Sequence, residues 1–164
     1  IKKIANVAVF GFSTSSSAAT LPLSIKVCTE DMGVDDSIAS FVLPLGMTIN
    51  MDGTAIMQVI ATVFIAGCAG YDLTPMELVV IALLALLASV GTPAAPGAGA
   101  VILFTILSGV GFVNDKALLA YSLILAINRP IEMLVTSLNV VGDAVASICV
   151  AKSEGLLNEE TFNK

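Results

Sequence analysis

The sequence predicts an all-α membrane protein built from two re-entrant helical hairpins and two spanning helices, one of them broken at Asn50–Thr54. Three observations carry that prediction. The 164 residues are 57% hydrophobic and only 12% charged, with a mean hydropathy of +0.98, far from the balance of a soluble domain. The charges that make up the net −6 fall mostly between or after the apolar runs, as solvated loop charges do. Finally, two of the apolar runs are interrupted halfway by small or polar residues, so each half falls short of the roughly 20 residues that a spanning helix needs.

The same composition excludes several classes. With seven Lys and Arg in all, there is no basic patch for nucleic acid. Cys28, Cys68 and Cys149 are scattered, odd in number and without His partners, so they read as small apolar side chains rather than metal ligands or a disulfide. No signal peptide is visible, and residues 1–5 read as entering a helix already under way, as in a fragment of a longer chain.

Residues 1–32 form the first hairpin. Ile4–Phe12 is apolar, the run Ser13–Ser17 interrupts it, and Ala18–Cys28 returns with Pro22 near its start. A polar tip at membrane depth has to be buried in protein or line water, because lipid cannot satisfy its backbone groups. The alternative is a soluble loop between two amphipathic helices. Glu30–Asp36 is a polar link in which Gly33 stops one helix and Asp35 or Asp36 caps the next.

Residues 36–70 are too long for one ordinary span and read as two helices broken at Asn50–Thr54. Asp52 is the single formal charge between Ser37 and Gly70. An ionisable group at that depth is costly and marks a functional site, here a cation site near the bilayer midplane.

Residues 75–113 form the second hairpin, with Pro75 in the first turn of its first helix. From Leu78 to Asn114 there is no charge, and Gly91–Gly99 packs two prolines and three glycines into nine residues. A continuous helix cannot survive that, so Met76–Val90 and Ala100–Phe112 become the arms and the small residues a tip that a ligand can approach closely. A single kinked spanning helix followed by a loop is the alternative.

Residues 115–152 read as the last spanning helix, kinked at Pro130. Glu132, Thr136, Asn139 and Asp143 follow one another at intervals of four, three and four, a polar stripe on one face of an oily rod, with Arg129 on the same side. Two carboxylates on such a face line something. Residues 153–164 read as a polar tail. The two halves share one plan, a small-residue tip and then a helix with Asn and Asp close together, and this inverted repeat is the pattern that points to a secondary transporter's binding site.

The serine tip followed by Ala19-Thr20-Leu21-Pro22, the run Leu43–Thr54, the tip Pro96–Ala100 and the Asn139–Asp143 segment together resemble the dicarboxylate/amino acid:cation symporters, the glutamate/aspartate and neutral amino-acid transporters. The resemblance covers nearly the whole chain. It implies the C-terminal part of a transport domain, residues 1–152, in a multi-pass protein of the plasma membrane, or of the inner membrane in a bacterium. It also implies N-terminal helices, beyond this sequence, that assemble a homotrimer. The function implied is sodium-coupled symport of an amino acid, with proton coupling an option.

Residue by residue, the resemblance puts one sodium among the carbonyls of Gly46, Asn50 and Asn139 and the Asp143 carboxylate. A second would use carbonyls of Thr48, Ser89, Val90 and Thr92, and a third Asn50 and Asp52. Oxygen-only ligands suit a hard cation. Substrate contacts fall on Ser16, Ser17, Thr54, Ala95, Gly99, Glu132, Thr136 and Asn139. Two departures matter. Val135 stands where acidic-substrate members carry an Arg, which favours a neutral or cystine-like substrate over an acidic amino acid or dicarboxylate, and Glu132 stands in place of an Asp. Arg129 has no counterpart in the family pattern; it pairs with Glu132, snorkels, or reaches the site from one turn earlier.

Two rivals predict other geometry. An intramembrane aspartyl protease would bring the Asp52 and Asp143 carboxyls within hydrogen-bond reach of each other. A passive pore would need a continuous water path, which two occluding tips oppose.

Overall fold

The computed structural model describes residues 3–164; the predicted helical entry at residues 1 and 2 lies outside them. Helix α1 (Ala5–Thr14) and helix α2 (Ser17–Lys26) pack on each other, separated only by Ser15 and Ser16. The turn is tighter than the predicted Ser13–Ser17 tip because Ser13 and Thr14 stay helical, their hydroxyls bonding back to the carbonyls of Val9 and Gly11. Ser15 takes a left-handed conformation (φ 51°), and Ser16 caps α2 by accepting from the Ala19 N–H. A π-helical turn, Val27–Asp31, ends the pair, and Gly33 (φ +72°) redirects the chain.

Asp35 then caps helix α3 (Asp36–Ile49) by accepting from the Ser37 N–H. Helix α4 (Asp52–Ala69) follows after a break confined to Asn50 and Met51, with Asp52–Thr54 already in its first turn. Together Asp36–Ala69, 34 residues, is long and apolar enough to cross a membrane.

Helix α5 (Pro75–Val90) opens with Thr74 and Glu77 bonded reciprocally around Pro75, a capping box absent from the sequence reading. Residues 91–97 are irregular, and helix α6 (Ala98–Val110) packs back on α5, starting two residues earlier than predicted.

The last element departs from prediction. Residues 115–152 are not one kinked helix but α7 (Asp115–Ile127) and α8 (Arg129–Ser153), with Asn128 between them. Pro130 in the first turn lacks an N–H to bond back to the preceding helix, so α8 starts anew there. Arg129–Ser153 is the second element long and apolar enough to span. The tail is also folded rather than merely polar: it forms helix α9 (Glu159–Asn163), and Asn158 N–H donates to the Gly33 carbonyl at 2.7 Å.

Two apolar cores result. Val7, Cys28, Leu43, Val140 and Ala144 are buried where α1, α2 and α3 meet α8, and Ile65, Ile81, Leu103, Leu107 and Ala117 where α4 to α7 meet. Outward faces carry Phe41, Ile60, Leu87 and Leu134, the apolar exterior of a protein embedded in lipid. Between the two cores runs a polar seam.

Candidate functional site

The seam is built where broken helices meet the polar stripe of α8. Glu132, Thr136, Asn139 and Asp143 are all buried on one face, as the spacing predicts. Three of them, Glu132, Asn139 and Asp143, bond to a helix break or tip. Asn50, at the end of α3, donates from its side-chain amide to Asp143 Oδ1 at 3.0 Å. Asn139 accepts the Gly53 N–H at 2.8 Å and donates to Thr54 Oγ1 at 3.0 Å, so one amide satisfies the opening turn of α4 with both its ends. Glu132 accepts the Gly97 N–H at 3.2 Å, tying α8 to the turn before α6.

The close packing depends on glycines. A Cβ at Gly46 would lie 2.6 Å from Asp143 Oδ1, and one at Gly53 would lie 2.9 Å from the Val135 carbonyl. One at Gly142 would sit 3.0 Å from Asn50 Nδ2 and 3.6 Å from Asp52 Oδ2. Gly46, Asn50 and Asp143 are thus one cluster, with Asp52 alongside Asn50. The Gly46 carbonyl accepts the Asn50 N–H at 2.7 Å and keeps a second lone pair for another partner.

The two helix-pair turns touch. Ser16 Oγ donates to the Ala94 carbonyl at 2.9 Å, and the Ala18 N–H points to the same oxygen at 3.4 Å. Behind this contact lies a cavity of about 30 Å³, room for one or two water molecules. Its lining includes Ser17, Thr54, Ala95 and Gly99, together with Glu132, Thr136 and Asn139. Ser16 stands at its edge, in the contact between the turns. The N-termini of α2, α4 and α6 all face this region, three helix ends whose N–H groups and positive dipoles favour an anion.

Other residues from the sequence are placed more loosely. Thr48 is exposed and its hydroxyl bonds back to Leu45, while Ser89 and Thr92 bond back to Leu86 and Ala88. Helices α3 and α5 touch, but among the described residues no hydrogen bond joins these side chains to one another. Asp52 is exposed, and no hydrogen bond joins it to Asp143 among the described residues. Sequence reasoning missed Met51, Met57 and Ser15 in the cavity wall. Met57 follows Thr54 by three residues, so the shared helical face was the available signal. Gln58, fully buried one position on, was missed as well.

The sequence profile of the Sodium:dicarboxylate symporter family matches residues 1–153. The chain belongs to the sodium:dicarboxylate symporter family. Over 91% of its length it is 40% identical to a protein of Caenorhabditis elegans named putative sodium-dependent excitatory amino acid transporter glt-4. Over 90% it is 39% identical to human excitatory amino acid transporter 5, and over 83% it is 40% identical to human excitatory amino acid transporter 2. The chain spans 29%, 26% and 23% of those three relatives. Its family and relatives are transporters, not enzymes, so the aspartyl-protease alternative falls.

Proposed function

We propose that this chain is the cargo-binding part of a secondary active transporter that moves an amino acid with sodium by alternating access. The observation that carries the proposal is the cavity bordered by the Ser16–Ala94 contact, with the Asn50–Asp143 pair beside it. Residues 1–152 act as one transport domain: re-entrant hairpins at 1–32 and 75–113, a broken spanning helix at 36–70, and a second spanning element within 115–152. The tail, 153–164, lies outside it. At about 30 Å³ the cavity is smaller than the several hundred Å³ usual for ligand sites, so the tips part to admit cargo.

In this reading the carbonyls of Gly46, Asn50 and Asn139 and the Asp143 carboxylate hold one sodium. Carbonyls of Thr48, Ser89, Val90 and Thr92 hold a second, which ties closure of the second hairpin to the ion. Asn50 and Asp52 contribute to a third. The cargo's carboxylate meets N–H groups at the hairpin tips and the Ser16 and Ser17 hydroxyls, its amino group meets Glu132, and Thr54, Ala95, Gly99, Thr136 and Asn139 complete the wall.

Val135 in that wall supports a neutral or cystine-like cargo, because a second carboxylate there would be buried without a partner. The names of the relatives, excitatory amino acid transporters, favour the second reading, an acidic amino acid or dicarboxylate carried with sodium or protons. The intact protein works as a homotrimer in the plasma membrane, or in the inner membrane of a bacterium. Uptake into liposomes tests the coupling. Accumulation driven by a sodium gradient is expected; accumulation driven only by a proton gradient would overturn sodium as the coupling ion.

A further inference from the structure

Among the described residues Glu132 is the one formal charge in the cavity wall, and its two oxygens are used unequally. Oε2 accepts from Arg129 Nη1 at 3.1 Å and from the Gly97 N–H at 3.2 Å. Oε1 is buried with no partner among the described residues, while the side chain as a whole is 8% exposed. Arg129 is 58% exposed and is the first residue of α8, a helix end where the dipole disfavours a cation. Its pairing with Glu132 offsets that placement.

We infer that Arg129 is a specificity-determining residue that balances Glu132 and so restricts the cavity to net-neutral cargo. The inference rests on the amino-acid cavity proposed above. With Arg129 in place the wall sums to zero charge. A zwitterion then has both its charges met, the ammonium by Glu132 Oε1 and the carboxylate by tip N–H groups. A second ammonium finds no spare counter-charge, since Oε2 is already committed. A second carboxylate finds Val135. Arg129 acts through Glu132 and touches no cargo.

The test is competition for uptake by the intact carrier in liposomes, using alanine and cystine as net-neutral cargo, lysine as cationic and aspartate as anionic. Arg129→Gln and Arg129→Met leave Glu132 unbalanced, and the lysine-to-neutral preference is expected to rise about tenfold, a size moderated by the exposure of the guanidinium. Arg129→Lys is expected to keep the original order. Either removal variant that reaches the membrane decides the matter, with melting temperature as the check on folding. Uniform loss of uptake with an unchanged charge order would make Arg129 merely structural and overturn the inference. So would a wild-type carrier that prefers aspartate, although transport itself would then stand. A wild type that accumulates no amino acid under any ion gradient would instead defeat the proposed function.

Discussion

Asn50 and Asp143, 93 positions apart in the chain, are joined side chain to side chain at 3.0 Å in the seam between the two cores. Asp143 is 4% exposed, and a carboxylate so enclosed in an oily rod requires close polar partners. Asn50→Ala removes the donor that faces it. A loss of about 1–3 kcal/mol is expected, because a buried acceptor is left unmet. Melting temperature of the purified carrier measures it, and added sodium should restore more stability to the wild type than to the variant.

Gly46 and Gly67 make a matched pair. A methyl at Gly46 would lie 2.6 Å from Asp143 Oδ1, whereas one at Gly67 meets nothing within 4 Å. Gly46→Ala therefore displaces the carboxylate and should weaken sodium-dependent binding of cargo at least about tenfold, the loss of a good charge-assisted contact. Gly67→Ala, inside α4, should be neutral or stabilising by about 0.5–1 kcal/mol. Cargo titrations and melting curves on the two proteins check both.

The contact between the two tips hangs on Ser16. Ser16→Ala deletes its bond to the Ala94 carbonyl and the cap of α2, each worth about 1 kcal/mol. Hydrogen exchange at residues 94–97 should quicken, while exchange in α4 stays unchanged.

The docked tail is testable at Gly33. Its φ of +72° disfavours any side chain, and a Cβ there would approach the Asn158 carbonyl to 2.5 Å. Gly33→Ala should cost about 1–2 kcal/mol and free α9, read as rapid proteolysis after Leu156. Lys3, whose ammonium bonds to the Thr161 and Phe162 carbonyls, should give a milder effect when changed to Met.

At the N-terminal end of α3, the Ser37 hydroxyl and N–H donate to Asp35 and hold its carboxyl below the ordinary value of 3.8. A lowered value means that the cap stabilises α3 above the ordinary carboxyl range and is lost as pH falls through the lowered one. Exchange at residues 37–39 should therefore rise only in strong acid. Asp35→Asn keeps the cap and should flatten that response.

The stripe on α8 was legible because its 4, 3, 4 spacing puts four polar groups on one face, whatever packs against it. The tips were legible from Pro, Gly and Ser at half a span's length. Their edges were not, since Ser13 and Thr14 satisfy themselves on Val9 and Gly11 and remain helical. Pro130 signalled an interruption, yet whether it bends a helix or starts a new one depended on Asn128, whose non-continuation has no sequence signature. The tail was illegible because its partners, Gly33 and Lys3, lie more than a hundred positions away. The pairing of Glu132 with both Arg129 and Gly97 was half visible: the i to i+3 spacing offered the first partner, and only the fold supplied the second.

The most direct test is calorimetric titration of the intact carrier with alanine, cystine and aspartate at several sodium concentrations, in wild type and Asp143→Asn. Affinity for net-neutral cargo should climb steeply with sodium in the wild type and much less steeply in the variant. Affinity that is indifferent to sodium in both proteins would contradict a sodium site at Asp143.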